Sequence, residues 1–217
     1  MKERPILFSA LMVRALLAGT KTQTRRVVKP QFAMDAVPEE MCATNERGHQ
    51  ITGHSGLWWC AAEGDADVAR RCPYGQPGDR LWVRECFCED PLSFGVLYRA
   101  DGELDEPALN AGGKWRPSIH MPRWASRITL EVTGVRVERL QDISEADAIA
   151  EGIEEGIPAA GTDIRVWKNY SPNKKDTPWL VWPLSSYFSL WQSINGPGSW
   201  DVNPWVWVVE FKRLNST

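Results

Sequence analysis

The apolar segment at 205–211 constrains the fold most strongly. It reads Trp-Val-Trp-Val-Val-Glu-Phe, which predicts a strand buried on most of its surface. The clearest alternating strand is 128–132, where every second residue is apolar, and the alternation resumes at 135–138. We expect Gly134, which separates these two stretches, to mark a bulge or a bend. A β-sheet is therefore predicted at the centre of the fold.

Helical patterns accompany the strands at three places. Ser9 can cap a helix that ends before Gly19, and Ser144 can cap a second helix that ends before Gly152. A third, amphipathic helix is predicted at 184–194. Shorter strands are predicted at 5–8, 22–26, 80–85 and 94–98. Separated strands with two or three helices predict an α+β domain built around a small barrel with flanking helices.

The length of 217 residues suits one domain spanning 1–217. Two stretches, at about 31–76 and 154–180, lack a sustained hydrophobic period and are rich in residues that favour turns. We interpret both as insertions with some local order. We expect the side chains of Trp58 and Trp59 to anchor the first insertion.

Charge is distributed unevenly along the chain. The net charge is −3, yet residues 1–30 carry seven basic side chains against Glu3 alone, a balance of +6. A second basic stretch, 114–127, contains no acidic residue. The two stretches predict a local positive site if they meet in space, and two solvated faces if they do not. The basic residues of the second stretch are Lys114, Arg116, Arg123 and Arg127.

The cellular setting is predicted from absent signals. No apolar run approaches the ~20 residues of a bilayer span, and Arg14 interrupts the one candidate signal-peptide core. Five cysteines without an export signal favour a reducing compartment, so we expect a cytoplasmic monomer without cofactor or membrane partner. A zinc site is an alternative, but no CxxC pair is present. Its candidate ligands are Cys42, His49, His54, Cys60, Cys72, Cys86 and Cys88.

The segment 19–26 concentrates groups that can perform chemistry. Lys21 can act as a base only if its amine is neutral, which burial or the neighbouring Arg25 and Arg26 would favour. The hydroxyl of Thr24 becomes a useful nucleophile when such a base removes its proton. The alternative interpretation is a solvated basic hairpin in which the threonines serve strand propensity.

Gly19, Lys21, Thr24 and Arg26 fill a G-x-K-x-x-T-x-R pattern that resembles the signature of the ASCH family. Segments 78–83, 143–151 and 205–214 resemble later motifs of that family in the expected order, so the likeness covers roughly half of the chain. The resemblance implies a PUA-like β-barrel. It leaves the two insertions as additions of the kind found in larger bacteriophage and prophage members.

Some small members of the family are N(4)-acetylcytidine amidohydrolases, which remove the acetyl group from the exocyclic amine of cytidine. The resemblance implies Lys21 as proton acceptor, Thr24 as nucleophile and Glu151 as proton donor. The alternative interpretation is that Glu151 is an exposed residue at the end of a helix, without a catalytic role. An ion pair between Glu151 and Lys21 would hold the amine charged, so direct attack by water, with Lys21 steadying the oxyanion, is an alternative route.

The substrate-binding candidates are spread along the chain. Segment 115–127 mixes tryptophans with basic residues, as in sites for nucleotides or single-stranded RNA, although the tryptophans could simply cover the barrel. The expected ligand is a modified nucleoside or RNA. The alternatives are an RNA-binding module without catalysis and a ribonuclease that uses the same cleft, whereas no motif supports a structural phage component. The candidate residues are Gly19, Arg26, Glu85, His120, Arg123 and Arg127.

Overall fold

A computed structural model describes residues 1–32, 39–44, 50–59, 70–92, 95–104, 106–158, 161–173 and 177–214, with backbone alone for 39–44, 50–59 and 106–107. Within these residues the fold is mixed α/β, with four α-helices and a five-stranded central sheet. The helices are α1 (Ala10–Leu17), α2 (Glu106–Asn110), α3 (Glu145–Ala150) and α4 (Pro183–Asn195). The strands are β1 (Glu3–Leu7), β2 (Gln23–Val27), β3 (Glu39–Thr44), β4 (Gln50–Trp59), β5 (Arg70–Arg71), β6 (Arg80–Arg84), β7 (Phe87–Glu89), β8 (Val96–Tyr98), β9 (Thr129–Arg139), β10 (Trp167–Lys168), β11 (Trp179–Leu180) and β12 (Trp205–Leu214).

The central sheet has the order β1–β6–β9–β12–β2. Strand β1 lies parallel to β6, and the other pairs are antiparallel. Across the described residues no strand pairing joins the two edges, β1 and β2, so the sheet is open where a small barrel was expected. A side chain rather than a backbone ladder links these edges, because Arg26 Nη2 donates a 2.6 Å hydrogen bond to Leu7 O.

Strand β12 is the buried centre of this sheet. It pairs with β9 on one side and β2 on the other, and Val206, Val208 and Val209 are fully buried. The predicted burial of 205–211 is therefore confirmed. The expected bulge is also present, because Glu210 pairs with Gly134 while the next residue pairs with Val132. Strand β9 nevertheless runs continuously through that bulge.

The predicted helix caps are present at the starts of α1 and α3. Ser9 Oγ accepts a 3.5 Å hydrogen bond from Met12 N at the start of α1, and Ser144 Oγ accepts a 3.1 Å bond from Asp147 N at the start of α3. Both helices are followed by glycines with positive φ, +75° at Gly19 and +82° at Gly152. None of the described helices combines the length and apolar character of a membrane span.

The two predicted insertions contain regular strands. Within segment 31–76 the described residues 39–44, 50–59 and 70–71 form the sheet β3–β4–β5, which is more order than the sequence pattern indicated. Segment 154–180 contains the pair β10–β11. Trp58 and Trp59 lie on β4, but their side chains fall outside the described part, so their anchoring role stays a prediction. Strand β8 covers the end of the predicted strand 94–98, whereas residue 94 itself is not described.

Candidate active site

A cavity of about 160 Å³ lies where the ends of β1 and α3 meet β2 and α4. Its walls combine apolar side chains with several groups that can ionise or donate protons. This size is informative, because a cavity of about 150 Å³ accepts a benzene ring. The cavity is therefore large enough for one six-membered ring. Its charged, hydroxyl and phenol-bearing lining residues include Lys21, Thr24, Arg25, Arg26, Glu151 and Tyr187.

The backbone places Lys21 beside Glu151. These two residues form an antiparallel bridge, and the neighbouring Thr22 N donates a 2.9 Å hydrogen bond to Ala150 O. Gly152 permits this close approach, because a Cβ there would lie 2.8 Å from Lys21 Cβ. The helix end at 150–152 is thus locked against the turn that begins β2.

Lys21 and Glu151 form a buried ion pair. Lys21 Nζ donates to Glu151 Oε2 at 2.9 Å and to the backbone oxygen of the same residue at 2.7 Å. The side chains of Lys21 and Glu151 are 1% and 5% exposed. The alternative interpretation of Glu151 as an exposed residue at a helix end is therefore wrong. Burial lowers the pKa of Lys21, Glu151 opposes this, and the charges of Arg26 and Arg25 lower it further. The net direction is downward, so the pKa of the Lys21 amine lies below that of an ordinary lysine despite the ion pair.

Arg25 fixes the other carboxylate oxygen. Its Nη1 lies 3.2 Å from Glu151 Oε1, and its Nη2 lies 2.5 Å from Glu138 Oε1 and 3.1 Å from Asp147 Oδ2. Arg136 of strand β9 contacts the same two carboxylates, Glu138 at 3.0 Å and Asp147 at 3.2 Å. The Arg25 side chain is fully buried, so its charge is compensated entirely within this network. Glu151 is therefore held between two cations, one on each oxygen.

Thr24 lies on the same face of β2 as Arg26, because side chains alternate along a strand. The ring of Phe8 lies 5.2 Å from Arg26 Cζ and 5.4 Å from Lys21 Nζ, which brings this face and the amine to one aromatic ring. Thr24 is buried and lines the cavity. Among the described residues its hydroxyl has no hydrogen-bond partner. A ligand in the cavity can therefore meet an uncommitted hydroxyl.

Helix α4 adds a wall that the sequence analysis did not include in the site. Tyr187, Leu190, Trp191 and Ile194 line the cavity and follow the i, i+3, i+4, i+7 spacing of one helix face. Burial, followed by the charge of Glu151, raises the pKa of Tyr187 well above its ordinary value. Tyr187 is thus a neutral proton donor beside the charged cluster. The helical spacing was the available signal, but it does not distinguish a site wall from ordinary core.

Five predicted substrate-binding residues do not line the cavity. Gly19 is exposed in the turn after α1, and His120 is exposed in a 3₁₀ turn at Ser118–His120. Arg123 is also exposed and pairs with Glu3 at 3.1 Å. This contact joins the two basic stretches, but through an acidic residue, so the expected positive site does not form there.

Glu85, which is buried, and Arg127, which is partly exposed, form a separate cluster. Arg127 donates to both oxygens of Glu85 at 3.0 and 3.1 Å, and it also pairs with Asp101 at 2.7 Å. Its guanidinium stacks on Tyr98, 3.9 Å from the ring centre. These contacts account for both residues as structural partners, because each charge is already matched. Of the six predicted substrate-binding residues, only Arg26 reaches the cavity.

The zinc alternative gains no support. Within the described residues no group of three or more His, Cys, Asp or Glu side chains is arranged to hold a metal ion. Cys72, Cys86 and Cys88 are free thiols, and burial raises the pKa of Cys72 to about 11. The remaining candidate ligands, Cys42, His49, His54 and Cys60, fall outside the described side chains.

Comparisons with known proteins found no relative from which a function could be inferred, so the functional argument depends on the cavity. No protein-family model, curated protein or solved structure matches this chain. The family likeness of the motif residues thus stays an expectation. The arrangement of an amine, a hydroxyl and a carboxylate in one ring-sized cavity is the observation on which a function can be argued.

Proposed function

We propose that the protein is an ASCH-type, PUA-like amidohydrolase that removes an acyl group from the exocyclic amine of N(4)-acetylcytidine or a related modified nucleoside. The observation that carries this proposal is the position of the buried residues Lys21, Thr24 and Glu151 on one cavity. The lowered pKa of Lys21 supports its role as a base, and the uncommitted hydroxyl of Thr24 supports its role as a nucleophile.

The first step transfers a proton and forms a bond. The neutral Lys21 amine takes the proton of the Thr24 hydroxyl while the threonine oxygen attacks the acyl carbonyl. The carbonyl oxygen then carries the negative charge of a tetrahedral intermediate. Arg26 and the Tyr187 hydroxyl, which line the same cavity, are the candidates to stabilise that charge.

The second step breaks the amide. The 2.9 Å hydrogen bond from Lys21 Nζ to Glu151 Oε2 gives the proton a short path to the carboxylate. Glu151 then protonates the departing amine, cytidine leaves, and the acyl group stays on Thr24 as an ester. Water attacks this ester with the proton transfers reversed, which releases the carboxylic acid and restores the hydroxyl.

Direct attack by water is the alternative route to the same products. Here Lys21 keeps its proton and stabilises the oxyanion, as its ion pair with Glu151 favours. The buried position of the Lys21–Glu151 pair is compatible with Lys21 as a base and with Lys21 as an oxyanion-stabilising cation. In a low-dielectric site, hydrogen bonds and charge–charge interactions are both stronger than in water. The two routes differ in whether Thr24 becomes covalently modified.

The test is release of cytidine from N(4)-acetylcytidine by the purified protein. Thr24→Val, which removes the hydroxyl and keeps the branched shape, is expected to lower the rate by about 100-fold or more, whereas Thr24→Ser should keep measurable activity. Thr22→Val is the matched control, because Thr22 is exposed in the same segment. Full activity of Thr24→Val would exclude the covalent route, and no cytidine release by the wild type would refute the proposed function.

An RNA-binding module without catalysis is the second candidate. It is favoured by Arg26, a cation that lines the cavity and forms no ion pair with a carboxylate of the described residues. An anionic group bound in the cavity can pair with this guanidinium whether or not chemistry follows. Salt-sensitive RNA binding without any product would identify this function.

A further inference from the structure

A second cavity, of about 410 Å³, adjoins the first. The two cavities share Arg26, Val27 and Asn195 in their walls. The second cavity is also lined by Arg70 and Arg71, which belong to β5 in the first insertion. An insertion of the chain therefore supplies part of the wall next to the candidate active site.

The second cavity is strongly positive. Four cations line it, and no described lining residue is acidic. None of the four forms an ion pair with a carboxylate of the described residues. Four like charges around one cavity repel each other unless an anion lies between them. The four cations are Arg26, Lys29, Arg70 and Arg71.

Buried donors without partners concentrate at these two cavities. The described part of the chain contains four such side-chain atoms, and three belong to residues that line one or both cavities: Arg26 Nε, Arg70 Nε and Trp191 Nε1. Both arginines are anchored through Nη2, Arg26 on Leu7 O and Arg70 on Gln31 O at 3.4 Å. The two guanidinium groups are therefore held in fixed positions at the cavity wall, although their Nε atoms themselves are enclosed by protein atoms.

We infer that the second cavity binds a phosphate group attached to the nucleoside whose base occupies the first cavity. A phosphate is the anion that fits best, since it accepts several hydrogen bonds at once and pairs with arginine in a bidentate manner. The cavity of about 410 Å³ also leaves room for the ribose between base and phosphate. The substrate class is therefore a nucleotide or an RNA rather than a free nucleoside. This inference rests on the proposed function for the choice of cytidine as the base.

Binding of reaction products tests the inference without turnover. Dissociation constants of the full-length wild type are measured by calorimetry for cytidine, cytidine 5′-monophosphate, a cytidine-containing RNA trinucleotide and inorganic phosphate. We expect the monophosphate to bind about 10³-fold more tightly than cytidine, at about tenfold for each of Arg70, Arg71 and Lys29. Its affinity should fall with added salt, while that of cytidine should not.

The double variant Arg70→Gln/Arg71→Gln is expected to reduce the ratio of the two affinities by about 100-fold. The ratio within one variant cancels any general loss of folded protein. Lys29→Gln, which leaves β5 untouched, should reduce the same ratio by about tenfold. The matched control Arg116→Gln/Arg165→Gln removes two exposed cations that line neither cavity, and its ratio should equal that of the wild type.

The RNA trinucleotide and inorganic phosphate show whether the bound phosphate belongs to an RNA, to a mononucleotide or to the free ion. Tighter binding of the trinucleotide than of the monophosphate, with a steeper salt dependence, identifies RNA, and equal binding identifies a mononucleotide. Equal affinities for cytidine and its monophosphate would overturn the inference, as would inorganic phosphate binding as tightly as the monophosphate. A retained monophosphate preference in a protein that releases no cytidine would refute the proposed hydrolysis and leave the phosphate site standing.

Discussion

Replacing Lys21 with arginine is expected to lower kcat/KM for N(4)-acetylcytidine by about 10³-fold, the scale of a lost general base. Arginine keeps the positive charge but cannot give up its proton in a protein. The substitution thus removes the base and retains a cation near Glu151. Lys168→Arg is the matched control, because Lys168 makes an exposed 2.7 Å ion pair with Glu154 and lines neither cavity.

A second substitution at Lys21 separates the two routes. Lys21→Met removes both the base and the cation, so it should abolish activity on either route. If water attacks directly and Lys21 only stabilises the oxyanion, Lys21→Arg will keep much of the activity that Lys21→Met loses. Wild-type rates in both variants would show that the amine takes no part in the reaction.

Glu151→Gln is expected to lower both activity and stability. The amide keeps the size of the side chain but cannot deliver a proton, so kcat should fall by about 10²- to 10⁴-fold. The free energy of unfolding should fall by about 3 kcal/mol, because breaking a buried ion pair leaves an uncompensated charge on Lys21. Arg25 is affected less, since Glu138 and Asp147 still contact it.

The stability loss in Glu151→Gln should shrink as pH rises. Glu151 is the group that raises the pKa of Lys21, so without it this pKa falls further below 10.5. Between the folded pKa and 10.5 the unfolded chain then binds more protons than the folded chain, and stability rises with pH across that window. Urea unfolding at several pH values measures this trend. Glu154→Gln, an exposed acid on the same connection, should change stability by less than about 1 kcal/mol, and an equal loss there would contradict the assignment.

The proposed trio of Lys21, Thr24 and Glu151 could be selected from sequence because each member carries a local signal. Lys21 and Thr24 belong to a compact motif, and Glu151 stands where a predicted helix meets Gly152. Their shared cavity depends on the antiparallel bridge between Lys21 and Glu151, which joins residues far apart in the chain. No periodicity specifies such a contact.

The burial of β2 could not be predicted for the same reason. Gln23, Thr24 and Arg25 are polar, which usually indicates exposure, yet all three are buried. Their partners come from remote elements: Arg25 binds Glu138 on β9 and Asp147 on α3. Burial of charge becomes acceptable only when such partners are known.

The location of the cation-lined second cavity also could not be predicted from the sequence. The sequence predicted a positive site where 1–30 and 114–127 meet in space, because both stretches are basic. The structure instead places Arg26 and Lys29 beside Arg70 and Arg71 from an insertion with no recognisable pattern. The open edge between β1 and β2 was likewise not predictable, since the number of strands does not determine whether a sheet closes.

The pH dependence of kcat/KM for N(4)-acetylcytidine, measured for the wild type and Lys21→Arg, tests the central claim most directly. A neutral Lys21 is required, so wild-type activity should rise with pH through a midpoint below 10.5, the ordinary pKa of lysine. Lys21→Arg should lack this rise, because arginine stays protonated throughout. A wild-type profile without the rise, or the same rise in Lys21→Arg, would contradict the role of this buried amine as the base.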